Sequence, residues 1–505
     1  MNTSPTTHLH FARVTLEART PISSASGEAD SYDMALVRDA GGLPRIQGTS
    51  VQGVLRALYP DRAKVDELFG YQRRDTGEAG RIIVSNGCVH GKDDTSVAGL
   101  MRIADIARDE VLDRLFSEGP LRRDHVKLDH RGVADAQTRG KFERIAVPIG
   151  TRFSFELAMW GNADDGAILK SLIDLTADPR FRLGGATGRG YGAVAVTRAA
   201  TWSAEIKGTD AAMLRRVRES AFSDHPASFV PYEGYKSKKG ASPYWLEASL
   251  KLRPIDVWRI GRGASDTSET VGKRIPGPDG SDARRDKEPD AVPLREREIV
   301  WNKGTPRDRA IVQEAMDNGY VVPGAGIKGV LAHRTLFHFN CLKGDRWAPV
   351  DISDKDEREK RLKELEKLPP ELIKIFGTKR FGTGGVDDGS AGRLFIDDTV
   401  VNLADTAAVA FDHNSIDRFT GSVRNRILFS EETVSGGQIV LAIRLLPARD
   451  GKGYCPKAIK ALCAAVEDLC QGRLALGAKS LGYCKAALPE WKGAGAAQDG
   501  QGKAA

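Results

Sequence analysis

The chain has 505 residues, with 75 Lys or Arg against 68 Asp or Glu and a formal net charge of +7. Hydrophobic residues at 41% and charged ones at 28% describe a soluble globular protein, long enough for about two to four domains of ~100–200 residues. No stretch approaches the ~20 apolar residues of a membrane span, six cysteines without a CxxC pair offer neither a disulfide framework nor a zinc knuckle, and residues 1–10 lack the pattern of a secretory signal.

A reduced cytoplasm is the expected setting, with Cys463 and Cys470 as buried thiols on one helix face. In chain order, the first predicted element is an alternating strand with Ala12, Val14, Leu16 and Ala18 on one face. A polar stretch containing Asp33 follows. Next comes the motif Gly48-Thr-Ser-Val-Gln-Gly53-Val-Leu, leading into an apolar helix over residues 51–59. Arg122, Arg123, Lys127, Arg131, Arg139 and Lys141 form a basic excursion. A second alternating strand carries Phe153, Phe155, Leu157 and Met159, and a helix over 167–175 runs into a glycine loop at 184–192 and a last short strand. Pro, Gly, Ser and Lys then cluster over residues 223–243, marking a boundary.

From Leu246 the order begins again, with Ala248, Leu250 and Leu252 on one strand face. Gly324-Ala-Gly-Ile-Lys-Gly329-Val-Leu answers the first glycine motif 276 residues later and opens a helix over 327–339. Leu68-Phe69-Gly70 is matched by Ile375-Phe376-Gly377, and Gly80-Arg-Ile-Ile-Val84 by Gly392-Arg-Leu-Phe-Ile396. Asp129-His130-Arg131 pairs with Asp417-Arg418, the latter near Arg424 and Arg426. An alternating strand with Ile439, Leu441, Ile443 and Leu445 precedes a helix over 457–469 and a second glycine loop, in which Lys479 lies and Gly477 to Tyr483 answers Gly185 to Tyr191.

Strand, helix, strands, helix, strand, twice over, predicts an α+β protein of two tandem ferredoxin-like domains. They are placed at residues 1–222 and 244–485, joined by a linker at 223–243 and followed by a flexible tail at 486–505. Two insertions interrupt the second copy: residues 261–288, expected as disorder or a long loop, and 351–368, expected as a solvated helix.

Glycine clusters invite a nucleotide-binding reading, but the loop at 184–192 follows a helix instead of opening one, and the motif at Gly324 has Val330 and Leu331 where a Walker loop needs Lys and Ser or Thr. Backbone amides and small side chains at a helix start, with Arg56, or Lys328 and His333, nearby, suit phosphates held one at a time. The same basic excursion in both halves points to RNA. No Ser/His/Asp order, HExxH, HxE with CxxC or DxDxDG is present, which leaves hydrolase triads, zincins, deaminases and EF-hands without support.

The run from Asp33-Met-Ala-Leu-Val through Gly48-Thr-Ser50-Val-Gln52-Gly53-Val-Leu-Arg56 resembles the signature of the RAMP superfamily, in particular backbone subunits of type III CRISPR effectors. Val322-Pro-Gly324-Ala-Gly-Ile-Lys328-Gly329 carries the Pro-Gly and the Lys of that signature, and Phe142-Glu-Arg-Ile-Ala-Val-Pro-Ile-Gly150 resembles the strand after the family's thumb. The resemblance implies two RRM-like domains with thumb insertions, at 85–140 and 400–426, gripping a CRISPR RNA beside other effector subunits, with no membrane involved. It implies RNA contacts at Gly48, Thr49, Ser50, Gln52, Arg56, Lys127, Arg131, Arg189, Lys328, His333, Arg418, Arg424 and Lys479.

It also implies cleavage of complementary target RNA by attack of a ribose 2′-OH on its own phosphate, with Asp33 holding Mg²⁺ or another divalent cation. In the second copy Asp290 is preferred for that role over Asp308, which Thr305-Pro306 places on an inserted helix. Gln47 and Gln52 stand where the family has Pro and Lys, and Ala325 and Gly326 where it has serines. A purely structural RNA-binding spacer is the non-enzymatic alternative, and a repeat-processing nuclease with His130 as acid or base is the other.

Overall fold

The structure is a computed structural model and describes residues 6–25, 34–126, 140–206, 229–237, 242–261, 289, 291–304, 307–314, 317–344, 353–365, 367–378, 389–423, 429–477 and 481–496. In the first half the strand His8–Ala18 pairs antiparallel with Val194–Glu205 on one side and with Arg152–Gly161 on the other. Beyond Arg152–Gly161 lie Ile82–Val84 and Gly87–Val89. Ala12, Val14, Leu16 and Ala18 are all buried, and so are Phe153, Phe155, Leu157 and Met159. Their period of two fills one sheet face, against which the helices Gly48–Leu58 and Gly166–Thr176 lay Val51, Leu55, Leu169 and Leu172.

The second half repeats this plan. Leu246–Pro254 lies between Ile439–Leu445 and Tyr483–Lys485, with Leu394–Ile396 beyond, and the helices Gly324–Lys343 and Pro456–Cys470 cover the buried face. In both halves the last strand sits beside the first, the first beside the third and the third beside the second, the strand order of a ferredoxin-like unit. The α+β expectation therefore holds. Cys463 and Cys470 are buried in the second core, and burial pushes the Cys470 thiol up to about 11, as expected of inert thiols. The charged segment forms the helix Lys355–Leu365, and Lys355–Arg358 are exposed along it. Residues 262–288 and the tail from 497 lie outside the described residues.

Three local expectations change. Asp308 is not on a helix: it directly precedes Arg309–Gln313, which pairs with Glu298–Asn302 in a hairpin, because Ile299 and Ala310 turn to the same face and bury together. The last strand of the first half is long, at 12 residues. Tyr483 is not the counterpart of Tyr191. It pairs with Ala475, where the first half pairs Ala193 with Arg182, so the match of the two Gly-x-Gly-Tyr runs is offset from the match of the strands.

That hairpin belongs to the second half by sequence but packs on the first. Ile299 and Ala310 enter the first core, the Ile299 and Ala310 amides donate to the Ile149 and Lys92 carbonyls (2.9 and 2.8 Å), and Trp301 Nε1 donates to Gly150 O (2.7 Å). Gly150 has φ +82°, and a Cβ there would overlap the Ile299 carbonyl oxygen. Only glycine permits this approach. At the other end, Val230–Pro231 adds an edge strand to Ala200–Thr201.

Candidate functional site

Both glycine motifs form the first turns of their helices, and each helix has one flank turned inward and another outward. Inward, the Gly48 amide donates to Asn86 Oδ1 (3.0 Å) and the Gly324 amide to Asp398 Oδ1 (2.8 Å). Asn86 and Asp398 occupy matching places, two residues after Val84 and Ile396. Outward, Thr49 and Gly53 are exposed on the first helix, and Gly326, Gly329 and His333 on the second. A Cβ added at Gly53, Gly326 or Gly329 would meet nothing within 4 Å.

Glycine in a helix interior costs about 0.5–1 kcal/mol relative to Ala. Gly53 and Gly329 stand at equivalent positions, 276 residues apart, and among the described residues neither has a packing partner that would explain that cost. A bare helix flank of this kind lets an external backbone come within van der Waals reach of the main chain. The other sequence-predicted residues of these helices face different ways. Ser50 is half-buried, Gln52 donates to the Phe69 carbonyl (3.3 Å), and Arg56 bonds the Gly70 carbonyl and Asp66.

Lys328 is a correction to the expectation of a ligand contact. It is buried, and its Nζ donates to the carbonyls of Gly188 (3.1 Å) and Leu394 (2.6 Å). Burial, with a smaller push from Arg189, lowers it to about 7. Gly188 belongs to the first half's glycine loop, so Lys328 fastens the two halves together. Around it Arg182 chelates Asp397 (2.5 and 3.0 Å), which also accepts from Arg444 (2.8 Å). Arg123 grips Glu296 (2.5 and 2.7 Å) and reaches Asp398 (2.6 Å). Burial, and Glu296 sharing the same guanidinium, push the Asp398 carboxyl up to about 6. Gly190, at φ +91°, lies against Asp398 and the Gly324 amide, where a side chain would overlap the carboxylate. Tyr191 is fully buried under Arg123 and Arg144, and its hydroxyl bonds His125 (3.1 Å). Arg189 itself stays exposed at the tip of the loop.

Asp33, Asp290, Lys127, Arg131, Arg424 and Lys479, with His130, Arg139 and Arg426, lie outside the described residues. Among the described residues no group of three or more His, Cys, Asp or Glu is placed to hold a metal ion. Arg418 is exposed in a turn beyond the hairpin of Thr406–His413 and Phe429–Gly436. There Asp417 accepts from the Phe419 and Thr420 amides (2.9 and 3.0 Å) and Phe419 stands wholly in solvent.

Two arrangements escaped the sequence reading. The charges that tie the loop down, Arg182, Asp397 and Asp398, sit in no motif. Ser154, His90 and Asp94 form a hydrogen-bonded row (2.8 Å at each step) on the open sheet face. Here Asp94 also holds Arg152 and Arg198 (3.0 and 2.6 Å) and Ser154 is bonded to Thr15 (2.7 Å). With His90 and Asp94 buried and Asp308 closing on Arg152 (3.0 Å), this row is a structural network. Asp308 is thereby committed to an ion pair.

A family model described as the RAMP superfamily matches residues 9–195 and 251–483. Among solved structures, the chain is similar to one in "Type III-B Cmr-beta Cryo-EM structure of the Apo state", with 15% identity and a TM-score of 0.28, the match covering 37% of this chain and 96% of that one. No curated protein matches.

Proposed function

Given that the chain belongs to the RAMP superfamily, with the family model matching in both halves, we propose that it is an RNA-binding backbone subunit of a type III CRISPR effector, holding guide RNA along the exposed flanks of its two motif helices. The observation that carries this reading is the recurrence of a bare glycine at Gly53 and Gly329, each mid-helix and each with open space before it. Thr49, Gly53, Gly326, Gly329 and His333 line the contact, and Arg189 adds an exposed positive charge between the halves. Phosphate contacts made this way position a strand without reading its sequence. Phe419, at its turn tip, is suited to stack on a base exposed between paired segments.

The second part of the proposal is cleavage. Asp33 and Asp290 would hold a divalent cation, which supplies charge stabilisation at the scissile phosphate.

The test is to purify the protein with its genomic neighbours and sequence the RNA that accompanies it. Discrete RNAs sharing one repeat-derived end are expected; heterogeneous RNA, or none, contradicts guide binding. In the assembled complex, Asp33→Ala and Asp290→Ala should each abolish one cut in a complementary target. Unchanged cutting in both variants removes the enzymatic part and leaves the structural spacer.

A further inference from the structure

The period of two that buries Ala12, Val14, Leu16 and Ala18 also carries His10 to the core face at the start of the first strand, where it is 1% exposed. A buried imidazole needs a partner for each ring nitrogen, and the fold supplies them from two sides. On one neighbouring strand Ser203 stands directly opposite His10, with its Oγ 2.7 Å from Nδ1. Just past the end of the other neighbour, Arg152–Gly161, the Asn162 carbonyl oxygen lies 2.8 Å from Nε2. A carbonyl only accepts, so Nε2 carries the proton. In the neutral ring Nδ1 is then the acceptor, and the Ser203 hydroxyl donates to it.

The hydroxyl is also accessible. Ser203 is exposed and lines a cleft of about 580 Å³ between its strand and the start of the helix Gly166–Thr176, a size that admits a small molecule. Gly166 keeps that start clear of the pair, since a Cβ there would come to 3.3 Å from His10 Nδ1 and 3.8 Å from Ser203 Oγ. Leu169, Trp202 and Val230 give the wall an apolar part, and Asp164 and Lys170 add one charge of each sign. The pair of Ser154 and His90 differs on both counts: Thr15 bonds Ser154 from another side (2.7 Å), and His90 is tied to an aspartate that two arginines already hold.

We propose that Ser203 and His10 are a nucleophile and its general base, and that they hydrolyse a short, uncharged acyl ester bound in this cleft. Ser203 Oγ bonds to the ester carbonyl carbon as its proton passes to His10 Nδ1, and the carbonyl electron pair moves onto oxygen, for which Lys170 is the cation on the cleft wall. Collapse breaks the acyl C–O bond, and the alcohol leaves with the proton from Nδ1. Water then attacks the acyl-serine, giving its proton to Nδ1 and releasing the acid and Ser203. Throughout, Nε2–H stays on the Asn162 carbonyl, which takes the orienting place that a carboxylate holds in a triad. This activity uses residues that the RNA-binding reading leaves aside, and neither depends on the other.

The test uses the full chain with two probes, a biotinylated fluorophosphonate and p-nitrophenyl acetate. A phosphonyl adduct at Ser203, located by peptide mass spectrometry and at least tenfold weaker when the chain is unfolded in urea, is the expected result. Ser203→Ala, a change at an exposed position, should remove the adduct and lower ester turnover at least tenfold. Gly166→Ala favours the helix and keeps every hydrogen-bonding group, but its Cβ presses on the His10 ring; labelling of Ser203 should fall severalfold while the circular dichroism spectrum is unchanged. No adduct at Ser203, equal labelling in urea, ester turnover unchanged in Ser203→Ala, or labelling unchanged in Gly166→Ala overturns the proposal.

Discussion

Gly53 and Gly329 are where one added atom tests the proposed RNA contact. Adding a methyl group meets nothing in either place and removes backbone freedom from the unfolded state, so Gly53→Ala and Gly329→Ala should each stabilise the free protein by about 0.5–1 kcal/mol. Gly329→Leu should leave stability within that range and cut RNA retention severalfold, measured by urea unfolding and by the ratio of 260 to 280 nm absorbance after purification. Equal retention in all three variants would mean that the bare flank serves no ligand. Lys328 shows the opposite case: its position in the motif suggested a phosphate contact, and its actual partners are 140 and 66 residues away in sequence. Burial of an ammonium group is settled by what folds over it, and no local spacing reports that.

The glycine loop acts as an element, because its ion pairs are buried on both sides of the joint. Asp397 stands between Arg182 and Arg444, and Arg182 is only 4% exposed; Asp397→Ala should therefore destabilise by about 3–5 kcal/mol, the effect of leaving a buried charge without its partner. Adding Arg182→Leu should restore much of that loss, and a single variant within 0.5 kcal/mol of the parent, by urea titration, would show the pair to be dispensable (about the spread of a surface change). His125, on the strand beneath the loop, is lowered to about 4 by burial and by Arg123, Arg144 and Arg189. The unfolded chain takes up this proton first, so its stabilising effect is full above about pH 6.5 and lost as pH falls towards 4, by about 3 kcal/mol at the limit. Asp398, raised to about 6, works in the other direction between pH 6 and its ordinary range. The difference between parent and His125→Phe isolates the histidine: the variant should keep its stability better from pH 6.5 to 4, and parallel curves would refute the assignment. The strands and helices of this joint were legible from period-two and helical spacing. The loop itself was legible as a repeat, yet Tyr191 and Tyr483 were paired by a shared Gly-Tyr when the strand register places Tyr483 opposite Ala475. Sequence likeness marks that a loop recurs; its length and closure decide what it touches.

At the scale of the molecule the two halves are interlocked twice, by the loop passing from first to second and by the hairpin of Glu298–Asn302 and Arg309–Gln313 returning from second to first. The duplication could be read in the sequence, because each half repeats its own core pattern. The exchange could not, since the alternation of Ile299 with Trp301 and of Ala310 with Val312 says that a hairpin is buried without saying on which core. Trp301 lies over the Arg152 guanidinium, 3.9 Å from ring centroid to carbon, and Arg152 in turn holds Glu17, Asp94 and Asp308. Neither half therefore completes its buried surface without the other, which predicts one cooperative transition for the whole chain, with far-ultraviolet circular dichroism and tryptophan fluorescence superimposing across a urea titration. Trp301→Ala removes the indole from Arg152 and the donor from Gly150, a loss of about 2–3 kcal/mol for a half-buried aromatic, below the ~3–5 kcal/mol of a fully buried one. It should fall on the first half alone and split the curve in two, the first half melting earlier. Two separate transitions in the parent protein would show that the halves unfold independently, and a Trp301→Ala variant that shifts a single transition without splitting it would show that they are coupled through the loop and not through the hairpin.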